Sequence, residues 1–311
     1  MTSAPDFPEL AAAHGIELDR DPSMLRAFGS DAEYFAVTAR DVSGAYWVLK
    51  APRRGDVQAL ARQERMILDY VRGKLPVVVP DWQVHSDKLV AYRVLPGVPA
   101  AEVDPLMGEL VWRLPQARVP QAFPESLAET MAKLHALDVS AAGAAGVPVL
   151  TPDQVRARVQ QRMEDCNALA TVPEKLWDLW RKWIEGDAFW PDFVTPINGD
   201  IYHPRLFVNA DYRLVAIENW ADAEIGDPAS DFTLYFAAAG REAMEELVAR
   251  YERAGGQTWG RMADQAEMYY WASPIKFAAY AMRTGDLSHL MNVKNMVHRY
   301  AGMLEDSGYG E

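Results

Sequence analysis

The sequence predicts an α+β protein with a small β-rich N-terminal lobe and a larger, mostly helical C-terminal lobe. Strand-like segments rich in β-branched and aromatic residues occur at 34–39 and 45–50, separated by the turn-forming residues RDVSG. Beyond the Pro- and Gly-rich segment at 95–100, helical spacing dominates. A chain of 311 residues also exceeds the usual size of a single-core domain. We therefore predict lobes at 1–94 and 101–311, joined by a hinge at 95–100.

Within the N-terminal lobe, the two strand-like segments predict a hairpin, and residues 57–73 predict an amphipathic helix that ends at a glycine. Two further short apolar runs follow at 77–80 and 88–95. This order of elements indicates a sheet accompanied by one helix.

The C-terminal lobe begins with helix signals. Ser126 and Glu129 have the spacing of a capping box, and Thr151-Pro152 predicts the start of a long helix. Strand-like segments return at 194–197, 205–209 and 212–218. From Asp227 onward we expect helices, which are interrupted at the glycines Gly240, Gly255, Gly256 and Gly285.

Composition restricts the class of protein. Half of the residues are hydrophobic, which suits an ordinary globular core. The single cysteine, Cys166, excludes an internal disulfide and a cysteine-based metal site. The N-terminus lacks the pattern of a signal peptide, and no apolar run reaches the roughly 20 residues that span a bilayer. We therefore expect a cytoplasmic protein that binds no membrane.

The formal net charge of −13 bears on the choice of partner. Binding to a nucleic-acid backbone relies on clustered Lys and Arg, so we expect no nucleic-acid partner. An acidic protein suits a cationic small molecule, such as one that bears an amino sugar. The alternative, that the acidic surface serves solubility, stays open.

Three residues have the types and order that phosphoryl transfer from a nucleotide requires. Lys50, on the inner strand of the hairpin, can reach nucleotide phosphates, and Glu64 on the next helix can pair with it. Asp200 lies in a turn between two strands, where a carboxylate can accept the proton of a substrate hydroxyl. Alternatively, Lys50 and Glu64 form a surface pair, and Asp200 is a turn former.

Several stretches of this sequence resemble the macrolide 2′-phosphotransferases, within the aminoglycoside phosphotransferase and protein-kinase-like superfamily. The resemblance extends over nearly the whole chain. It lies in WVLKAPRRGDV (47–57), LVAYRVLPGVPA (89–100), GDIYHPRLFVN (199–209), IENWADAEIGDPASDF (217–232) and YYWASPIKFAAYAMRTGD (269–286). The resemblance implies the bilobal protein-kinase-like fold.

The resemblance also implies roles for individual residues. Lys50 and Glu64 become the pair that positions the nucleotide phosphates, and Asp200 becomes the general base. Asp231 is expected to anchor the catalytic loop, and the segment 95–100 is expected to border the nucleotide base. ATP or GTP with Mg²⁺ is the implied cofactor if the chain is an active kinase.

The sequence departs from the family at the residues that would hold the metal. The catalytic loop begins with Asn198, where the family has histidine. Arg205 stands at the first metal-ligand position, five residues after Asp200, and Asn219 replaces the aspartate of the second. The phosphate-covering loop has Ala32 where the family has glycine, although Gly29 is close by.

These substitutions disfavour a magnesium site. Mg²⁺ prefers carboxylate oxygens, whereas the Arg205 guanidinium only donates hydrogen bonds and repels the ion. Two alternatives stay open: Glu218 or Asp222 supplies a carboxylate after a local shift, or Arg205 itself neutralises a phosphate. In a continued strand, however, Glu218 would point away from the face of Asn219.

Other residues are candidates for substrate chemistry. His203 lies in the catalytic loop and can act as an acid or base near neutral pH, unless it is simply an exposed loop histidine. An apolar wall for a large lipophilic ligand is predicted from aromatic residues and a methionine, although ordinary helix core is the alternative for these side chains. The residues are Trp220, Tyr269, Tyr270, Trp271, Phe277 and Met282.

Three functions fit these observations. The one we favour is a divergent phosphotransferase-like enzyme or pseudokinase that binds or transforms a macrolide- or polyketide-like molecule without Mg²⁺-dependent phosphoryl transfer. Asp200, His203 and Arg205 would then supply acid, base or anion-stabilising groups, in natural-product biosynthesis or self-resistance. The second is an active ATP- or GTP-dependent macrolide kinase that confers antibiotic resistance. The third is a non-catalytic protein that binds such a molecule.

Overall fold

The computed structural model describes residues 4–27, 33–104, 109–115, 118–285 and 287–307, and confirms the α+β class. The strands are β1 (Leu25–Ala27), β2 (Tyr34–Arg40), β3 (Tyr46–Pro52), β4 (Trp82–His85), β5 (Val90–Arg93), β6 (Val98–Pro99), β7 (Ala101–Val103), β8 (Leu110–Trp112), β9 (Thr195–Ile197), β10 (Leu206–Val208), β11 (Leu214–Ile217) and β12 (Glu224–Gly226). The helices are α1 (Phe7–Ala12), α2 (Val57–Val71), α3 (Ala122–His135), α4 (Val139–Ala144), α5 (Pro152–Ala170), α6 (Glu174–Glu185), α7 (Thr233–Arg253), α8 (Met262–Trp271), α9 (Ser273–Thr284) and α10 (Leu287–Ser307).

The chain packs as two compact units, each assembled from several stretches of sequence. The first consists of Met1–Thr130, Ala144–Val147 and His203–Ala223, and the second of Met131–Gly143, Pro148–Tyr202 and Glu224–Glu311. The units interleave along the chain, so the predicted lobe boundaries around the 95–100 hinge stay a prediction.

The first unit contains the predicted hairpin within a five-stranded antiparallel sheet, in the order β1-β2-β3-β5-β4. Lys50 of β3 lies opposite Ala36 of β2 and Val90 of β5. Because side chains alternate along a strand, Trp47 and Leu49 pack on one face with residues of α1, and Lys50 belongs to the other face. The sheet register thus decides which face carries the lysine.

The predicted hinge is held in a second, three-stranded sheet of the same unit, in which β10 pairs with both β6 and β11. Gly97 precedes β6 and has a φ of 89°. A Cβ atom at Gly97 would lie 2.6 Å from the Val208 carbonyl oxygen and 2.9 Å from a Val215 methyl. Glycine is therefore required here by both conformation and space.

The second unit is mainly helical. The Thr151 side chain accepts the Gln154 N–H and the Gln154 side chain accepts the Thr151 N–H, which completes a capping box at the predicted start of α5. Helices α5, α6, α8, α9 and α10 bury a core that includes Trp180, Trp183 and Trp271. None of the helices in the described ranges combines the length and apolar character needed to cross a membrane.

The glycines of the helical region act as predicted, but the start of α3 was predicted wrongly. Gly240 interrupts α7 with a φ of 81°, and Gly285 ends α9 in the left-handed conformation. Helix α3 begins at Ala122, four residues before the expected cap. The Ser126 hydroxyl lies inside the helix, donates to the Ala122 carbonyl and accepts the Leu214 N–H. Ser126 therefore links α3 to β11 instead of capping the helix.

Replacing Gly97 with alanine is expected to destabilise the protein more than the same change at Gly44, which has a similar φ of 90° but nothing within 4 Å of its Cβ position. Both substitutions carry the cost of a left-handed alanine, about 1 kcal/mol. Gly97→Ala adds overpacking, worth about 1–3 kcal/mol more. Urea unfolding of both variants measures the difference. Equal losses of unfolding free energy would contradict the close approach at Gly97.

Candidate active site

The polar centre of the first unit is the Glu218 side chain, which directly follows β11. The strand ends at Ile217, and Asn219 adopts a left-handed φ of 64°, a conformation that asparagine tolerates better than most residues. The expectation that Glu218 points to the opposite face from Asn219 assumed a continued strand, but β11 ends one residue before Glu218.

The Glu218 carboxylate is almost completely buried and is contacted by three side chains. Its Oε1 atom accepts a hydrogen bond from the Tyr92 hydroxyl at 2.8 Å and lies 3.2 Å from Lys50 Nζ. Its Oε2 atom accepts from Arg205 Nη1 at 2.6 Å. The Glu218 N–H also donates to the Arg205 carbonyl at 2.9 Å. We name Lys50, Tyr92, Arg205 and Glu218 the Glu218 cluster.

The cluster keeps its central carboxylate ionised. Burial by itself would raise the pKa of Glu218, but the Lys50 and Arg205 charges and the Tyr92 hydrogen bond outweigh it and lower the pKa to about 2. Burial likewise opposes the charge of Lys50, but the carboxylates of Glu218 and Glu64 outweigh that effect and raise the Lys50 pKa. Lysine, arginine and glutamate are therefore all charged at neutral pH.

Glu64 does not form the predicted ion pair. Lys50 pairs with Glu218, and Glu64 accepts the backbone N–H of Trp220 at 3.1 Å. Burial raises the pKa of Glu64, only partly offset by the Lys50 charge and the Trp220 hydrogen bond. Glu218, which directly follows β11, takes the place of the predicted partner. Glu64 instead ties α2 to the segment after β11.

A cavity of about 650 Å³ opens in the first unit. Thr38, one of its lining residues, lies opposite Val48, so it shares the sheet face of Lys50. Val94, another, directly precedes the segment 95–100. The lining residues are Met24, Arg26, Thr38, Tyr46, Arg93 and Val94.

Asp200 lies in the second unit, on a loop that Asp231 holds in place. The Asp231 carboxylate accepts the N–H groups of Asn198 at 3.0 Å and Gly199 at 2.7 Å. The Asp200 N–H donates to the Asn198 side-chain oxygen at 3.1 Å. The side chain of Asp200 is 22% exposed. The carboxylate is therefore accessible, whereas the loop backbone is held by Asp231.

A buried histidine and tyrosine extend this anchor. His135 Nε2 lies 3.0 Å from Asp231 Oδ2, and its Nδ1 lies 2.9 Å from the Tyr251 hydroxyl. All three side chains are buried. Asp231 is thus itself oriented by a second residue, and the anchoring role implied for it agrees with these contacts.

His203 is not the acid or base that the sequence suggested, nor an exposed loop histidine. It is 2% exposed and packs against the rings of Trp112 and Phe123, at centroid distances of 4.8 and 5.9 Å. Burial lowers its pKa to about 4, so the imidazole is neutral at physiological pH. It belongs to the packing of the first unit.

The residues predicted to form an apolar wall differ widely in exposure. Trp220 is fully buried in the first unit, and Trp271 lies in the helical core of the second. Tyr269 and Tyr270 pack against that core, and the Tyr269 hydroxyl donates to Asp227. Two of the six side chains present substantial apolar surface: Phe277 is 49% and Met282 is 54% exposed.

Several residues that contact Glu218, Asp231 or Asp200 were not predicted from the sequence. Tyr92 belongs to the apolar run at 88–95 that the sequence predicted. It lies on β5 opposite Val48, and so on the face of the sheet that carries Lys50. His135 and Lys276 had no such signal, since nothing in their surroundings in sequence places them beside Asp231 and Asp200. The positions Gly29 and Ala32, which bear on the phosphate-covering loop, lie outside the described residues.

The buried His203 predicts a pH dependence of stability. Its pKa is about 4 in the folded protein and 6.5 in the unfolded chain, so between these values only the unfolded chain binds the proton. The free energy of unfolding therefore falls as pH drops from 6.5 to 4, by about 3 kcal/mol from this residue. Denaturant unfolding across this range should show a smaller acid loss for His203→Phe than for the unsubstituted protein.

The matched control is His298→Gln, which also removes a histidine, but one that is exposed. An equal acid loss in His203→Phe and the unsubstituted protein would show that His203 is protonated in the folded state.

Comparison with known proteins agrees with this architecture. The model of the phosphotransferase enzyme family matches residues 25–264. The uncharacterized protein YcbJ of Bacillus subtilis (strain 168) is 33% identical over 297 residues, covering 96% of this chain and 95% of that protein. A macrolide 2′-phosphotransferase type I structure superposes with a TM-score of 0.87 at 31% identity, covering 96% and 99% of the two chains. For macrolide 2′-phosphotransferase MphH from Brachybacterium faecium the TM-score is 0.82 at 32% identity, covering 93% and 95%. The chain therefore belongs to the phosphotransferase enzyme family and has the kinase-like fold of its macrolide 2′-phosphotransferases.

Proposed function

We propose that this chain binds or transforms a macrolide- or polyketide-like small molecule without Mg²⁺-dependent phosphoryl transfer. The type of molecule follows from the similarity to proteins named macrolide 2′-phosphotransferases. The departure from kinase chemistry is supported by one observation above all, the contact of Arg205 with Glu218 at 2.6 Å. The Arg205 guanidinium is thus already bound to the carboxylate of Glu218, the residue next to Asn219.

The donor atoms around Glu218 do not fit a magnesium ion. Mg²⁺ needs several oxygen ligands in octahedral geometry, and both Glu218 oxygens already accept from cations or a hydroxyl. The charges of Lys50 and Arg205 balance those of Glu218 and Glu64, so no excess negative charge attracts the ion. Among the residues that the structure describes, no three His, Cys, Asp or Glu side chains come together in a way that could hold a metal.

The residues that remain can support other chemistry. Asp200 is a partly exposed carboxylate on a fixed loop, and such a group can accept a proton from the hydroxyl of a bound molecule. Arg205 is 25% exposed and can donate hydrogen bonds to an anionic group. His203 takes no part, because it is buried and neutral. A non-catalytic protein that only binds the molecule is the alternative. Chemical conversion of the bound molecule that is lost on removal of the Asp200 carboxylate would exclude this alternative.

An active ATP- or GTP-dependent macrolide kinase is the second candidate. It is favoured by the 650 Å³ cavity next to the segment 95–100, on the sheet face that carries Lys50. A cavity of this size falls within the usual range for small-molecule sites. Nucleotide binding alone is compatible with both candidates, so dependence on the metal is what discriminates between them.

We expect Mg²⁺ to make no difference to any stabilisation by ATP or GTP. A ligand that binds the folded state raises the melting temperature, and a metal that the site cannot hold adds nothing to that rise. Thermal unfolding is measured with each nucleotide, once with excess Mg²⁺ and once with EDTA. A rise of several degrees that requires Mg²⁺ would favour the active kinase and contradict this proposal.

Restoring both ligand positions is expected to restore the metal dependence. In the double variant Arg205→His, Asn219→Asp, the repelling cation is removed and a carboxylate is added at a left-handed position that aspartate also tolerates. We expect Mg²⁺-dependent nucleotide stabilisation, and phosphorylation of erythromycin detectable by mass spectrometry, in the double variant.

The matched control is Arg213→His, which removes the exposed arginine that pairs with Glu129. Phosphorylation of erythromycin by the unsubstituted protein would overturn the proposal. Metal dependence absent from a folded double variant would show that other residues disable the metal site.

A further inference from the structure

Lys276 holds an ammonium group next to the carboxylate of Asp200, and no role derived so far uses it. Its Nζ atom lies 3.6 Å from Asp200 Oδ1 and donates to the Gly199 carbonyl at 3.0 Å. Both contacts lie within the second unit, on the loop that Asp231 fixes. One ammonium thus contacts two successive residues of the same loop.

The position of Lys276 in its helix is not explained by helix stability. It is the fourth residue of α9, close to the N-terminus, where the helix carries partial positive charge and disfavours a cation. The cation of the last turn, Arg283, has the favourable placement instead. The contacts with Gly199 and Asp200 are what offset the unfavourable placement of Lys276.

This placement has a consequence for any ligand that approaches Asp200. A carboxylate that accepts the proton of a ligand hydroxyl attracts an ammonium group adjacent to that hydroxyl, unless a cation is already present. Lys276 supplies that cation, is 50% exposed and so meets the same solvent-accessible region as Asp200. Two like charges about 4 Å apart repel one another even in water.

We propose that Lys276 is a specificity residue, which selects a ligand whose hydroxyl at Asp200 has no ammonium next to it. The ligand portion at Asp200 is then a neutral or acidic sugar or polyol, in contrast to the amino sugar that the net charge suggested. This inference rests on the proposed function, since it specifies the class of macrolide- or polyketide-like molecule that is bound.

The test compares two probes that differ in one charge. Erythromycin carries a dimethylamino sugar that is cationic at neutral pH, and its N-demethyl-N-acetyl derivative carries a neutral amide at the same nitrogen. Isothermal titration calorimetry of the full chain gives both dissociation constants. We expect the neutral derivative to bind at least about fivefold more tightly, which is the effect of one like charge near 4 Å in water.

Variants of Lys276 change this preference in a defined order. Lys276→Gln removes the repulsion and is expected to bring the two dissociation constants within about twofold of each other. Lys276→Glu is expected to reverse the preference, so that erythromycin binds at least about fivefold more tightly. Lys182→Glu, at an exposed lysine of α6, makes the same charge change elsewhere and is expected to keep the original preference. Thermal unfolding of each variant verifies that it is folded.

Each outcome decides between the specificity role and the function. If the unsubstituted chain binds a probe but the Lys276 variants keep its preference, the specificity role is wrong and the proposed function survives. The same holds if the unsubstituted chain prefers erythromycin. If neither probe binds, the proposed function fails for this class of molecule. Lys276→Glu must then create binding of erythromycin, and its failure to do so overturns the specificity role as well.

Discussion

The buried carboxylate of Glu218 is the constraint on which the candidate site of the first unit depends. A single ionised glutamate without partners would be costly at 1% exposure, so its three contacts are obligatory. Lys50 on β3, Tyr92 on β5 and Arg205 before β10 all contact it, and this joins the five-stranded and three-stranded sheets of the unit through one side chain. Removal of Lys50 or Arg205 would leave part of the buried negative charge uncompensated. The loss of unfolding free energy would then exceed the net contribution of the ion pair to stability.

The contact of Arg205 with Glu218 also bears on metal binding. In a metal-dependent phosphotransferase the negative charge of the site is available to a divalent ion, which in turn neutralises the phosphates. Here Arg205 neutralises Glu218 permanently, and a guanidinium can neither deprotonate nor leave. On our proposal, a magnesium ion would have to compete with the contact between Arg205 and Glu218. On this proposal, the substitution at Arg205 carries more weight than the one at Asn219, because Arg205 contacts the Glu218 carboxylate directly.

The sequence predicted those features that follow from local chemistry, and it failed where a distant residue decides. The hairpin of β2 and β3, the capping box at Thr151 and the helix end at Gly285 follow from turn and cap residues, so they were predictable. The partner of Lys50 was not, because the contact of Lys50 with Glu218 joins β3 to a segment that is far away in the sequence. Similarly, the polar loop around His203 gave no sign that Trp112 and Phe123 cover the imidazole. Burial of a loop residue is a tertiary property, and it changed His203 from a candidate acid to a core residue.

The loop that carries Asp200 is held in place by a buried carboxylate of the second unit. Asp231 accepts two backbone N–H groups of the loop and is itself held by His135, so the loop is fixed by protein groups within one unit. Hydrogen bonds to a buried carboxylate are charge-assisted and among the stronger ones in proteins. Asp231 thus fixes the backbone of the two residues that precede Asp200. On our proposal, the chain presents this carboxylate of Asp200 to a ligand without metal chemistry, and the groups around the carboxylate, Lys276 foremost, determine ligand preference.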